Sequence, residues 1–434
     1  MHLQNFARFS LEPLMPRSAL LAVIKASSAL ATQAAMVVLA GNFGLQAFAQ
    51  NSAGMPGKAI VDKNCNLCHQ VAQHAARGYT AEGWDTVLKM MTNQGLVASD
   101  EDKELARAYL IQTFPEKEKP KAVLIDGPVK VKFQTWHLPI AGSRPHDPLG
   151  ARDGSIWYTA QMANVIGRID PQTGSIRQYP LKKSHSGPHG LMEDKSGNIW
   201  YTANTGGQIG KLNPKTGENT EYPMPDASVT DPHSLAIDKQ GDIWFTAQAS
   251  NRLGRLNPKT GNITLLTPPS SNSRPYGIMM DSKGWIDYVA FGTNVVGQVN
   301  PKTLAIKEFH LPNPDTRPRR LVAAPDDTIW YADHTRGYLG HLDPKTGQVT
   351  EVPSPGGMKS APYGMSWIDG VIWYSESGTQ PGTVVRFDPQ TQQFQTWAIP
   401  GGGNIVRNTS KTPDGNFLLA SSLMNEITLV NIQH

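Results

Sequence analysis

One stretch of this chain can be laid over the next at a fixed spacing, and that periodicity restricts the fold more than any other feature. A Pro-X dipeptide opens each unit: Pro145-His146, Pro188-His189, Pro232-His233, Pro275-Tyr276, Pro318-Arg319 and Pro362-Tyr363, successive members lying 43 or 44 residues apart. An aromatic pair follows as Trp157-Tyr158, Trp200-Tyr201, Trp244-Phe245, Trp330-Tyr331 and Trp373-Tyr374, while the fourth unit has Asp287-Tyr288. The first five units continue with an Ile/Leu/Val-Gly-x-hydrophobic strand, such as Ile209-Gly210-Lys211-Leu212, and most units carry an Asx-Pro-x-Thr-Gly turn, such as Asp170-Pro171-Gln172-Thr173-Gly174. A period of about 40–45 residues built from short strands is that of a four-stranded propeller blade. Proline presets φ in the turn and glycine takes its left-handed position, so the turn closes a hairpin. It has too few carboxylates for a calcium loop.

The last unit stops one strand short, after Phe417–Ala420 and Ile427–Val430. Its missing piece stands upstream, where Phe133-Gln134-Thr135-Trp136-His137-Leu138-Pro139 nearly duplicates Phe394-Gln395-Thr396-Trp397-Ala398-Ile399-Pro400. Residues 131–139 are therefore expected to supply the outer strand of a seventh blade, which removes exposed sheet edges. The expectation is an all-β seven-bladed propeller over residues 131–434, preceded by a small all-α cytochrome c-like domain.

Innermost propeller strands face the central axis, and the Pro-X position should lie where the chain crosses to them. Counting back from Leu418 gives Arg407 in the seventh blade, so the axial ring reads His146, His189, His233, Tyr276, Arg319, Tyr363 and Arg407. His189, His233 and His146 are the candidates for proton transfer, with Asp231 close enough in sequence to orient an imidazole or bind a cation. Tyr276, Arg319, Tyr363 and Arg407 would hold an anionic or carbonyl-bearing part of a ligand. The competing reading is a wet channel plugged by hydrogen-bonding side chains. Gln161, Asn204, Gln248, His334 and Glu376, which follow the aromatic strands, read as strand-end hydrogen-bonding groups.

The N-terminal part carries a second kind of chemistry. The chain has two cysteines, both in Cys65-Asn66-Leu67-Cys68-His69. This C-x-x-C-H string is the attachment motif of c-type haem: two thiols add to the porphyrin, and the imidazole of His69 ligates the iron. A zinc site would need further ligands that no second cysteine pair provides. The haem domain is expected over 51–114, with Met90 or Met91 as sixth ligand on a helix over Trp84–Gln94, and a Pro-bounded charged linker over 115–130. Residues 1–49 read as a signal peptide, with Arg8, Arg17 and Lys25 ahead of an apolar run and Ala47-Phe48-Ala49 at its end. The apolar run is shorter than the roughly 20 residues of a membrane span. A periplasmic or otherwise exported protein with no stable membrane span after processing is expected. A formal charge of +4, spread evenly, argues against nucleic-acid binding.

The units Gly187-Pro188-His189-Gly190, Ile199-Trp200-Tyr201-Thr202, Ile209-Gly210-Lys211-Leu212 and Glu221-Tyr222-Pro223-Met224-Pro225 resemble those of the streptogramin lyase (virginiamycin B lyase) family. The resemblance spans 131–434 and implies a seven-bladed propeller. It also implies Mg²⁺-assisted opening of a macrocyclic depsipeptide by elimination, with histidines at the axial mouth. In that family the active set is a Pro-His, an acidic-Pro-His in the next blade, and a glutamate after that blade's Trp strand. His189, Asp231 and His233 match the first three positions, whereas Gln248 stands where the family has glutamate.

Three functions compete. The favoured reading is a haem protein that couples electron transfer to small-molecule binding or oxidation at the axial mouth, its partners being that substrate or a redox protein. The alternatives are a metal-assisted C–O lyase and a non-catalytic sensor or docking platform. The purified protein is expected to stain for haem after denaturing electrophoresis, and a Cys65→Ser, Cys68→Ser double variant is expected not to. An unstained parent from a host able to mature c-type cytochromes would remove the haem assignment.

Overall fold

The computed structural model describes residues 56–67 and 69–433. The expected signal segment 1–49 and Cys68 lie outside the described residues. Among the described residues two compact units are present: one formed by the residues up to Val71 together with Asp100–Thr113, the other by Ala72–Ser99 together with residues 114–433.

In the first unit the helix Pro56–Ile60 runs into a single π-turn, Val61–Cys65, and the helix Asp100–Thr113 crosses it. Gly57 permits the crossing, since a Cβ there would lie 2.0 Å from the Leu105 carbonyl oxygen and 2.7 Å from Cβ of Tyr109. Val61, Ala106, Tyr109 and Leu110 are buried. Asp100, Glu101 and Asp102 occupy the first turn of the longer helix, where the helix dipole favours negative charge.

The second unit contains the seven-bladed propeller, seven separate four-stranded antiparallel sheets. Blade 1 is Pro145–Gly150, Ile156–Ala160, Val165–Ile169 and Ile176–Pro180, and the pattern recurs down the chain. Blade 7 joins Val406–Lys411, Phe417–Ser421 and Glu426–Gln433 to the strand Lys130–His137, paired from Lys130↔Gln433 to His137↔Glu426. The ring is thus closed by the segment that the sequence nominates.

The second strand of each blade is buried along its whole length because both sheet faces are covered by neighbouring blades. Trp157 fills the space toward blade 2, among Leu191, Ile199 and Tyr201, whereas Tyr158 points toward blade 7, among Leu418 and Ile427. The same tyrosine explains the glycine of the third strand. Tyr201 pairs with Gly210 and lays its ring over it, so a Cβ would fall 1.9 Å from the ring. Tyr158 and Gly167, Phe245 and Gly254, Tyr288 and Gly297, and Tyr331 and Gly340 repeat the arrangement. Blades 6 and 7 lack this glycine, having Val385 opposite Tyr374 and Thr428 opposite Leu419. In blade 4 Asp287 replaces the tryptophan; it is buried, accepts a 2.8 Å bond from Gln298 Nε2, and burial pushes its carboxyl up to about 8.

The Asx-Pro-x-Thr-Gly turns hold themselves closed. The Asp170 carboxylate accepts from the amides of Gln172 and Thr173 at 2.9 and 3.2 Å, and Gly174 adopts φ +73°. Its oxygen is spent on backbone amides, as an Asx turn requires.

Helix Ala81–Asn93, capped by Thr80, belongs with the propeller: Asn93 Nδ2 donates to the carbonyls of Ala141 and Gly142, and Gln94 Nε2 to that of Met162. Met90 is buried beside Gly142, whose Cβ would meet the Met90 amide at 2.6 Å, and Met91 is half-buried. The stretch read as a linker is laid along blade 6, with Ala122 N donating to the Gln380 carbonyl and Thr396 N to that of Ile125. Among the described residues no helix is long and apolar enough to cross a membrane.

Gly210→Ala should destabilise the protein by about 1–3 kcal/mol, the usual range for overpacking a filled core. Urea unfolding followed by tryptophan fluorescence measures it; an unchanged midpoint would show that the tyrosine ring can move aside.

Candidate axial site

Each innermost strand slips register directly after its opening residue, as between Pro188 and Leu191. That bulge turns residue X toward the axis and frees the amide after it. On three blades the threonine of the second strand takes up this amide. Thr159 Oγ1 accepts from Asp147 N at 2.9 Å and donates to the His189 carbonyl at 2.9 Å. Thr202 joins Gly190 N to the His233 carbonyl, and Thr246 joins Ser234 N to the Tyr276 carbonyl. Blades 4, 5 and 7 have Val289, Ala332 and Ala420 instead, so this relay braces the histidine side of the ring alone.

The braced side chains lie in a row, each ring tilted against the next. Ring centroids run from His146 to His189 at 3.6 Å, on to His233 at 3.9 Å and to Tyr276 at 4.1 Å. The three histidines are buried. His146 Nδ1 meets Asp147 Oδ1 at 2.8 Å and His233 Nδ1 meets Ser234 Oγ at 3.0 Å, while His189 Nδ1 has no partner among the described residues. Burial and then the nearby Arg407 and Arg320 lower His146, burial and its two histidine neighbours lower His189, and burial and Arg320 bring His233 down to about 3. All three imidazoles are neutral at pH 7.

Across the channel the Tyr276 and Tyr363 hydroxyls share a hydrogen bond. The Arg319 guanidinium lies 4.0 Å from the Phe291 ring centre and 5.5 Å from that of Tyr363. Burial raises the Tyr276 phenol; in Tyr363 burial is outweighed by Arg320 and Arg319, which lower it. Either hydroxyl can donate in the bond between them.

A second axial layer was missed by the ring as read from sequence. One residue beyond each ring position stand Asp147, Gly190, Ser234, Gly277, Arg320, Gly364 and Asn408, polar groups alternating with glycines. Arg320 reaches across the channel: Nη1 donates to Ser234 Oγ at 3.0 Å and Nη2 lies 3.7 Å from Asp147 Oδ1. The alternation itself was the available signal, since a channel this narrow admits a spanning arginine only where the neighbouring positions lack side chains. At Gly190 and Gly364 a Cβ would come within 2.9 Å of His233 O and 2.6 Å of Thr409 N.

Asp231 does not join this group. Its carboxylate accepts from Ala249 N and from Ser250 N and Oγ, tying down the adjacent hairpin, and the acid beside the histidines is Asp147. Glu376 is likewise structural, accepting from Ser354 Oγ, Gly356 N and Thr383 Oγ1. Asn204 bonds the Pro232 carbonyl, Gln161 is buried, and Gln248 is half-buried. His146, Asp147 and His189 place ligand atoms within 4.8 Å of one another, a grouping that could hold a metal ion. Two imidazoles and one carboxylate suit a transition metal better than Mg²⁺, which favours an all-oxygen octahedron. The Arg320 guanidinium already supplies the cation beside Asp147.

The accessible space lies on the arginine side. A cavity of about 240 Å³ is lined by Arg319, His334, Tyr363 and Arg407 and by a strap containing Arg77, Gly78, Tyr79, Lys117 and Lys119. The strap is rigid: Tyr79 N donates to the Phe114 carbonyl, Lys117 N to that of Arg77, and Lys119 Nζ to Asn404 Oδ1. Gly78 is required there, having φ +67° and a Cβ position only 1.7 Å from the Pro115 oxygen. Trp84 supports it, edge-on to Tyr79 at 5.0 Å and bonded through Nε1 to the Phe114 carbonyl. His334 projects into the cavity, its imidazole held neutral by burial and then by Arg319. The second layer opens on a separate cavity of about 220 Å³.

The architecture is a seven-bladed propeller, similar in fold to those of streptogramin lyases. Residues 125–299 match the virginiamycin B lyase family model. A streptogramin B lyase structure superposes with a TM-score of 0.64 at 24% identity, over 70% of this chain and 98% of that one. Virginiamycin B lyase from Staphylococcus aureus gives 0.62 at 23%, over 70% and 99%. Its catalytically inactive histidine-to-alanine variant with quinupristin gives 0.64 at 23%, over the same 70% and 99%. At these identities the likeness defines the fold. No curated protein matches the chain in sequence.

Neutral buried histidines make stability fall in acid. The unfolded chain takes up protons near pH 6.5, whereas folded His233 resists until about pH 3, so its contribution is complete above pH 6.5 and is lost as pH falls through that window. In His233→Gln the decline of unfolding free energy between about pH 6 and 4 should be shallower, by up to about 1.4 kcal/mol per pH unit. Denaturant titrations at several pH values measure it; parallel curves would mean that His233 is charged in the folded protein.

Proposed function

We propose that the protein is an exported c-type haem protein whose propeller binds a small molecule at its roofed axial mouth and exchanges electrons with it or with a redox partner protein. The observation that carries the reading is the roof. The strap residues Arg77, Gly78 and Tyr79 follow closely after His69 in sequence and line the same cavity as Arg319, Tyr363 and Arg407. The cysteine-histidine motif is thus continuous in sequence with a wall of the propeller's own site.

The residues around the motif fit a porphyrin. Cys65 ends the π-turn, half-buried and with its thiol raised by burial, and Leu67 between the cysteines is 79% exposed, apolar surface of the kind a macrocycle covers. Haem c attached at Cys65 and Cys68 and ligated by His69 would supply one-electron transfer. The propeller's part is to bind and orient: Arg319 and Arg407 take an electron-rich group, Tyr363 and Tyr276 pass a proton along their shared hydrogen bond, and the strap keeps bulk water away.

Three observations weigh against a metal-assisted lyase. Gln248 stands where the lyases carry glutamate, the histidines lie in a row away from the open cavity, and about 240 Å³ is small for a macrocyclic depsipeptide. The docking-platform reading leaves the buried charge of the ring without a role.

The test follows haem absorbance of the dithionite-reduced full-length protein as soluble oxidants are added, in parallel with a quinupristin-opening assay. Reoxidation that is lost in the Cys65→Ser, Cys68→Ser variant and indifferent to a chelator supports the proposal. Quinupristin opening that needs a divalent metal and survives the double variant would establish the lyase instead.

A further inference from the structure

We propose that the roofed axial cavity is a binding site for a small oxyanion, a carboxylate, phosphate or sulfate group, held by Arg77, Arg319 and Arg407 with Arg144 beside them. This deepens the small-molecule part of the proposed function and does not depend on the haem.

The argument begins with charge that has no counterpart. Three other cations near the channel and its strap are matched: Arg320 with Asp147 at 3.7 Å, Arg336 with Glu351 at 2.7 Å, and Lys119 with Glu116 at 3.3 Å. Among the described residues Arg77, Arg144, Arg319 and Arg407 have no such carboxylate, and the buried Nε atoms of Arg319 and Arg407 have no hydrogen-bond partner. Crowded guanidiniums destabilise one another. Burial and then Arg407 push Arg144 down to about 9, and Arg407 is lowered by burial. The other titratable neighbours offer little relief: His146, His189, His233 and His334 are neutral, Asp147 is engaged by Arg320 and His146, Tyr79 lines the strap, and the Tyr363 hydroxyl is bonded to that of Tyr276. Glu116 and Glu118 belong to the strap, and Glu116 is taken by Lys119.

Geometry selects the ligand class. A guanidinium presents parallel N–H groups that match two oxygens of a carboxylate, phosphate or sulfate. Arg319 lies over the Phe291 ring at 4.0 Å, which helps to hold its fork without using a carboxylate to do so. The cavity of about 240 Å³ is below the roughly 300–1,000 Å³ of drug-sized sites, so the ligand is small or enters by a small end. Gly78 packs closely against the Pro115 carbonyl, leaving no room for a side chain between the two parts of the strap.

The full-length protein is titrated calorimetrically with sulfate, inorganic phosphate and succinate at constant ionic strength, chloride serving as control. At least one probe should bind saturably, and which one separates a carboxylate from a tetrahedral oxyanion. Arg319→Met and Arg407→Met should each weaken that binding tenfold or more, and Arg319→Lys and Arg407→Lys, which keep the charge and lose the fork, should weaken it too. The exposed Arg177→Met should bind as the parent does. Without oxyanion, Arg407→Met should melt no lower than the parent, because it removes an unmatched charge. Absence of binding by all three probes, or binding undiminished in the Met and Lys variants, overturns the proposal, as does an Arg407→Met protein that melts lower and binds normally. A haem-free double cysteine variant that still binds the oxyanion would leave this site standing while removing the electron-transfer reading.

Discussion

A propeller blade cannot stand alone, because both faces of its sheet are apolar, and the whole ring therefore depends on one pairing: Lys130–His137 against Glu426–Gln433. With that pairing made, every tryptophan and tyrosine of the second strands has a neighbouring blade to bury against. It also brings the first blade beside the last, so that Arg407 comes to bear on His146 and Arg144. The axial site is a product of closure, since no single repeat contains more than one of its ring residues.

The ring then divides by how its backbone is held. Thr159, Thr202 and Thr246 lock the carbonyls of His189, His233 and Tyr276 from blade to blade, and the histidines they position lie in a row and are neutral. Opposite them Val289, Ala332 and Ala420 leave the backbone unbraced, and the side chains carry charge toward open space. Rigidity and charge are thus placed on opposite sides of one channel. Arg320 is the exception that ties the two sides together, through Ser234 and Asp147.

Much of this was legible in the sequence because propeller repeats repeat their physics. The spacing of Pro-X gave the blades, the near-duplicate Phe133–Pro139 gave the closing strand, and the X positions gave the ring. Interactions between non-equivalent positions were not legible. Asp231 precedes His233 by two residues and looked like its partner, yet a bulged strand sends it to the hairpin amides of Ala249 and Ser250. Asp147 and Arg320, far apart in sequence, meet only because the glycines between them clear the channel. Helix Ala81–Asn93 read as part of a haem domain from its apolar spacing, but its polar end, Asn93 and Gln94, binds propeller carbonyls.

The strap gives the chain a consequence for modularity. A boundary drawn where the repeats begin runs through the wall of a cavity, with Arg77 and Tyr79 on one side of the cut and Arg319 and Arg407 on the other. A propeller transplanted without the residues before it would keep its blades and lose its roof. The repeat array and the strap before it share one cavity wall, so the mouth of the ring is shaped by residues that the repeats do not contain.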